Sequence, residues 1–330
     1  MEMLKGWQFT GTGEPLKYVE QEIPKAKPGY VVVKVSHCGL CHSDVGALDD
    51  PGWVGTIILK VPVIMGHETA GEIVEVGEGV TDWKVGDRVA INPMPTDNSQ
   101  GHDHGPGYGR DGGYANYTTA PIERLIKVPD NVDMIQAAAA TDAGMTSHNA
   151  VVNAGGVKKG TKVGIIGIGG LGTVGARIAI GLGAEVYAAS RSEAARNKIK
   201  ADGAFKVAPS IKDFKDDGLE VIVDFAGADI TTRDALEVIA PGGTIVIVGM
   251  AKLETTLNVQ QMISKYVTVK GSIGGGGSDI ESVINLISQG KLKIDVQPVS
   301  FDEVPEKLDY MREHSLEKRF IMENKEEDYK

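Results

Sequence analysis

Thr161-Lys162-Val163-Gly164-Ile165-Ile166-Gly167-Ile168-Gly169-Gly170-Leu171-Gly172 is the stretch whose reading decides the fold. Its first six residues read as an apolar strand. The next six match the spacing G-x-G-x-x-G, and residues 173–182 read as the helix that follows. A chain with 43 glycines produces such a spacing by chance, and an ordinary strand-to-helix turn is the alternative. The context separates the two. Between a strand and a helix, glycines let backbone N–H groups come close to a pyrophosphate, and the helix N-terminus favours the anion. The motif is read as a dinucleotide site.

Downstream the same rhythm repeats. Residues 184–189 read as a second strand and 193–201 as a helix. Further strands are expected at 204–208, 220–224, 244–248 and 267–270, with helices at 231–239 and 259–265. Strand–helix alternation at this pitch predicts a doubly wound parallel sheet. Upstream the chain is β-rich and irregular. Residues 30–35 form a β-branched run after Lys27-Pro28-Gly29, residues 72–76 alternate polar with apolar, and Val85-Gly86-Asp87-Arg88-Val89 punctuates further short strands. That pattern suits an antiparallel barrel or sandwich, with residues 92–113 as a surface loop or lobe. After Gly274-Gly275-Gly276-Gly277 come a helix near 280–289, the segment 296–300, a helix from Val304 and a charged tail at 323–330.

The totals restrict the function. The chain has 330 residues, 42% hydrophobic and 24% charged, with a formal charge of −11. Length and composition fit a soluble globular protein of about two domains. The acidic balance argues against nucleic acid or an anionic membrane as partner. It leaves room for a phosphate-bearing cofactor, because a helix N-terminus or a local cation binds phosphate on an acidic protein. Two cysteines, Cys38 and Cys41, are too few for a secreted disulfide framework. With no signal segment and no apolar run of membrane-spanning length, the expected location is the cytoplasm.

Cys38-Gly39-Leu40-Cys41 admits a redox pair or two inert buried thiols. Its neighbours argue otherwise. Cys41-His42-Ser43-Asp44 is followed by Gly66-His67-Glu68. Thiolate and neutral imidazole are standard zinc ligands, and nearby carboxylates orient the imidazole.

With these segments the chain resembles the zinc-containing medium-chain dehydrogenase/reductase family, which includes the alcohol dehydrogenases and the cinnamyl-alcohol-type reductases. The resemblance spans essentially the whole length. Cys-His-Ser-Asp, Gly-His-Glu, Val85-Gly86-Asp87-Arg88-Val89, Asp111-Gly112-Gly113-Tyr114 and the glycine loop occur in family order. It implies a β-rich GroES-like catalytic domain from residues 1–144 and 276–330, with a Rossmann domain at 145–275 and the active site in the cleft between them. It implies hydride transfer between a small alcohol, aldehyde or ketone and a nicotinamide cofactor.

Position by position, the resemblance makes Cys41 and His67 ligands of one catalytic zinc. Asp44 would orient His67, and Glu68 would lie behind the metal and exchange with its water. Ser43 would take the proton of the alcohol, and His42 would face the pyrophosphate. Thr146 would pack near the nicotinamide. Gly167, Gly169, Gly170, Leu171, Gly172 and Val248 would contact the cofactor. Trp53 is a pocket residue by position. A homodimer or homotetramer is implied, built through the sheet edge near residues 267–271. A zinc-free alkene or quinone reductase of the same superfamily is the alternative, and a non-catalytic nucleotide-binding protein a second.

Three departures from the family pattern carry information. Asp142 stands where a third ligand, often cysteine, is usual, so the expected metal set is Cys41, His67 and Asp142. No cysteine lies in residues 92–113, which leaves no cysteine-bound structural zinc. His102-Asp103-His104 is read as solvated loop rather than a metal site. Gly46 stands where many relatives have the histidine that ends the proton relay, so the relay is expected to be shortened and Ser43→Ala to be far more damaging than Gly46→His. The cofactor is expected to be NADP(H) rather than NAD(H). NAD-preferring proteins place a carboxylate at the end of the second strand, about 20 residues past the glycine loop. Here Ser190-Arg191-Ser192 follows that strand. Arg191 suits a 2′-phosphate, the two serines can donate to it, and Arg196 adds a second cation; Glu193 works against this.

Overall fold

The computed structural model describes residues 2–94, 105–314, 316 and 318–329. These divide into two units. One comprises Met1–Asp142, Gly276–Gly290 and Ile294–Lys330; the other comprises Ala143–Gly275 and residues 291–293.

The second unit is built on six parallel strands. In spatial order they are Lys206–Ala208, Glu185–Ala189, Lys162–Ile166, Val221–Asp224, Thr244–Ile247 and Thr268–Gly271. The order reverses between Lys162–Ile166 and Val221–Asp224, which is the switch point where such sheets open a crevice at their C-terminal ends. The inner strands are continuously buried, as parallel strands covered on both faces must be. Ile166, Tyr187, Phe214, Leu219, Ile222, Leu236 and Ile245 form a core on one face of the sheet. This is the doubly wound Rossmann architecture expected from the alternation. The first helix differs in its start: it runs Gly170–Gly181, so half of the glycine motif is already its first turn.

The first unit has a three-stranded and a seven-stranded sheet. The organising strand is Tyr30–Gly39, which pairs with Glu68–Val76, Tyr117–Pro121 and Arg319–Glu323. Sequence reading ended this strand at residue 35. It continues because Cys38 and Gly39 find partners on both sides, Thr69 and Glu68 on one strand and Met322 and Ile321 on the other. The unit is irregular and β-rich, GroES-like as expected, with one parallel pair, Val296–Ser300 beside Arg319–Glu323. Phe9, Leu40, Leu48, Met65, Tyr114, Phe301, Leu308 and Phe320 lie in its main core. No helix among the described residues is long and apolar enough to cross a membrane.

Candidate functional site

Strand register assembles the first cluster. Gly39 faces Glu68 across the antiparallel pair, so the chain beyond Gly39 runs past His67. Ile321 faces Gly39 on the other side, so Arg319 arrives beside Cys41. Cys41 then caps the helix His42–Asp49, and its backbone N–H donates to Asp44 Oδ2 at 3.0 Å. Asp142 enters on a π-helical segment, Ala140–Gly144; such irregular turns are frequent at functional sites.

The result is four metal-competent groups. Ligand atoms of Cys41, His67, Glu68 and Asp142 all lie within 4.8 Å of one another. Cys41 Sγ is 3.5 Å from Asp142 Oδ2. His67 Nε2 is 3.8 Å from Glu68 Oε1 and 4.0 Å from Asp142 Oδ2. The other ring nitrogen, Nδ1, is 3.2 Å from Asp44 Oδ1. That contact orients the ring with Nε2 toward the cluster, the arrangement by which carboxylates prepare an imidazole for a metal. Asp44 is fully buried and also accepts from the Tyr114 hydroxyl at 2.6 Å.

Two carboxylates, Glu68 and Asp142, thus converge with the Cys41 thiol on the Nε2 side of His67, while Asp44 lies behind the ring at Nδ1. The counter-charge present is Arg319, whose Nε donates to Glu68 Oε2 at 3.0 Å and whose Nη2 donates to Glu68 Oε1 and to Asp142 Oδ2 at 2.6 Å. Burial opposes the Arg319 charge, but Glu68, Cys41 and Asp142 outweigh it and hold the guanidinium pKa well above its usual range. Burial pushes Glu68 up to about 7 against the pull of Arg319, with Asp142 adding to the rise. Soft sulfur, borderline nitrogen and hard oxygen within ligand reach of one another fit a divalent ion of the zinc type.

Ser43 stands in the first turn of the same helix. The Tyr108 hydroxyl donates to Ser43 Oγ at 2.9 Å and lies 3.2 Å from Asp44 Oδ1. The Tyr108 ring stacks on His67, centroids 5.0 Å apart and planes 28° off parallel. His42 is exposed at the start of this helix. At Gly46 an added Cβ would meet the Trp53 indole at 2.8 and 3.0 Å. A histidine there requires the Trp53 indole to shift. His102, Asp103 and His104 lie outside the described residues.

The other predicted residues belong to the second unit. Gly167 has φ +85°, and a Cβ on Gly172 would lie 1.9 Å from the Gly167 carbonyl oxygen, so the tight turn demands glycine at both. Gly169 caps the helix and Gly170 begins it, with no acidic residue in the first turn. No atom comes within 4 Å of where a Cβ on either would stand. Open space before uncapped amides is what a pyrophosphate needs. Leu171 follows in that turn, and its carbonyl accepts from the Ser147 hydroxyl at 2.9 Å; Thr146 is buried beside it in sequence. Val248 follows the strand Thr244–Ile247, its N–H held by Asp224 O at 3.0 Å.

The turn after the second strand carries Ser190, Arg191 and Ser192. Arg191 is exposed. Ser192 Oγ caps the next helix by accepting from Ala195 N at 3.2 Å, and Ser190 Oγ accepts from Ser192 N at 3.3 Å. Arg196 Nη1 donates to the carbonyls of Ser190 at 2.6 Å and Arg191 at 2.9 Å. Its first role is therefore to brace the turn, which narrows the expectation of a second phosphate-binding cation.

Reasoning on sequence missed Arg319, Tyr108 and Tyr114. Tyr114 sits in the Asp111-Gly112-Gly113-Tyr114 motif, which was a usable signal. Tyr108, among glycines, and Arg319, in a charged stretch, carried none.

Residues 27–130 match the family described as alcohol dehydrogenase GroES-like domain, and residues 170–289 match zinc-binding dehydrogenase. An alcohol dehydrogenase of Geobacillus stearothermophilus is 32% identical, over 94% of this chain and 96% of its own. Among solved structures, acetophenone reductase from Geotrichum candidum in complex with NAD is similar with TM-score 0.87 and 27% identity, covering 98% of both chains. A cobalt- and zinc-bound thermostable alcohol dehydrogenase from Pyrobaculum aerophilum is similar with TM-score 0.86 and 26% identity, over 98% of this chain and 100% of that one.

Proposed function

From the premise that the chain belongs to the zinc-type medium-chain dehydrogenase/reductase family, we propose that it is a zinc-dependent alcohol dehydrogenase or carbonyl reductase that prefers NADP(H) to NAD(H). The carrying observation is the convergence of Cys41, His67, Glu68 and Asp142 within 4.8 Å. Cys41, His67 and Asp142 are the proposed ligands, with Glu68 or water completing four-coordination. A zinc ion held there supplies Lewis acidity at the substrate oxygen, and the nicotinamide is the hydride partner. The protein's own part is positional. Asp44 holds the His67 ring, Arg319 holds Glu68 and Asp142, and Ser43 exchanges the proton of the substrate oxygen. The test is zinc content together with alcohol-dependent formation of the reduced nicotinamide, over a panel of primary, secondary, aromatic and polyol alcohols. A metal-free protein, or no turnover with any alcohol or carbonyl, rejects the assignment.

The cofactor reading rests on Ser190, Arg191 and Ser192. Arg191→Ala removes one charge-assisted contact to the 2′-phosphate, worth about 1.5–3 kcal/mol. Its kcat/KM with NADP is expected to fall about 10- to 100-fold and with NAD to stay nearly constant. A wild-type preference for NAD overturns the reading.

We also propose an isologous dimer. The strand Thr268–Gly271 ends the sheet, with no partner on its outer side among the described residues. In the chain leading up to it Leu253 is 84% and Tyr266 82% exposed, with Met250, Val259 and Ile263 also open. An open strand edge beside apolar side chains is a surface that pairs with another copy. Sedimentation is expected to show twice the mass of one chain, and Ile263→Asp to shift the species toward the monomer. A wild type that sediments as one chain at all concentrations rules this out.

A further inference from the structure

Ser43 has an unusual partner. Its hydroxyl oxygen already accepts a hydrogen bond, and the donor is the phenol of Tyr108, 2.9 Å away. Tyr108 is held by its backbone as well as by its ring. Its N–H donates to Gly105 O at 3.3 Å, and its carbonyl accepts from Leu59 N at 2.9 Å and Lys60 N at 3.2 Å. The ring lies on His67, so the phenol reaches Ser43 from a fixed platform. On the other flank, the space above position 46 belongs to the Trp53 indole.

We propose that Tyr108 is the positioning residue of this site: its phenol holds the Ser43 hydroxyl with the serine hydrogen turned to the substrate oxygen. A hydroxyl has one hydrogen and two acceptor positions. Once Oγ accepts from Tyr108, its rotation is restricted and its own hydrogen is left for another acceptor. Asp44 Oδ1, 3.2 Å from the same phenol oxygen, can only accept, so the one phenol hydrogen is shared between Ser43 Oγ and this carboxylate as a three-centre bond that fixes the phenol in place. One carboxylate therefore orients both the His67 ring and, through Tyr108, the Ser43 hydroxyl. Because Ser43 donates in this arrangement, the site favours a substrate oxygen that accepts, such as a carbonyl oxygen or an alkoxide.

The inference rests on the alcohol dehydrogenase reading, and the experiment separates their failures. Tyr108→Phe keeps the ring on His67 and removes only the hydroxyl. Its kcat is expected to fall about five- to tenfold, the usual scale of one lost hydrogen bond, with KM for the alcohol nearly unchanged. In a Ser43→Ala background the same change is expected to cost nothing further, because Tyr108 acts through Ser43. Zinc content and melting temperature should match the wild type. A wild-type kcat in Tyr108→Phe overturns the inference. So does an equal loss in the Ser43→Ala background, or a loss that follows zinc content, since the residue then acts through packing or through His67. Absence of any wild-type turnover instead defeats the functional reading, and the inference with it.

Discussion

Replacing Asp142 by alanine is expected to strip most of the metal from the protein and lower kcat/KM by at least about 100-fold. Loss of partners that only orient ligands already costs about 10- to 100-fold in affinity or activity, and a ligand itself should cost more. The geometry makes Asp142 the residue to test. Its Oδ2 lies 3.5 Å from Cys41 Sγ and 4.0 Å from His67 Nε2, whereas Glu68 is committed to Arg319 through two contacts. Arg319 also donates to Asp142 at 2.6 Å, so a metal drawing on Asp142 shares that oxygen's charge with the guanidinium. Asp142→Cys should retain metal, because it keeps one negative charge in a ligand slot. Relative to the wild type it should favour zinc over harder divalent ions, since thiolate is the softer donor. Elemental analysis after dialysis reads both variants. Full zinc content in Asp142→Ala would move the third ligand to Glu68 or elsewhere.

Ser43→Ala is expected to lower kcat by about 10²- to 10⁴-fold, the range of a positioned proton-transfer group, while zinc content stays at the wild-type level. Ser43 stands outside the four metal-competent groups, so the two readouts should part company. Metal and activity fall together in Asp142→Ala; activity alone falls in Ser43→Ala. Ser43→Thr, which keeps the hydroxyl, should recover most of the rate. If Ser43→Ala turns over within a few-fold of the wild type, proton transfer takes another path. Gly46→His is a poor complement to this series, because the new side chain displaces Trp53 and reports packing rather than proton transfer.

The sequence by itself determined the second unit and most of its elements. Period, length and glycine placement are local signals, and parallel strands buried on both faces announce themselves as short apolar runs. The strand Lys162–Ile166 and the parallel sheet it belongs to follow from that alternation; the strand order came from the structure. Cys41, His67, Glu68 and Asp142 were legible as residue types through family resemblance.

What the tertiary structure alone decided is who meets whom. The strand Tyr30–Gly39 extends four residues past the expected end because its partners, at 68–76 and 319–323, are distant in sequence; local propensity cannot register a partner so far away. The same register carries Arg319 onto Glu68 and Asp142, although nothing around Arg319 marks it. Tyr108 is one tyrosine in a glycine-rich stretch until folding lays its ring on His67 and its hydroxyl on Ser43. At Gly46 the sequence showed a missing imidazole, and only packing showed the indole that stands against that position. Composition and period report which face of an element is buried. Side-chain chemistry at a site depends on contacts a few ångströms long between residues far apart in sequence, and those exist only once the chain has closed its long loops.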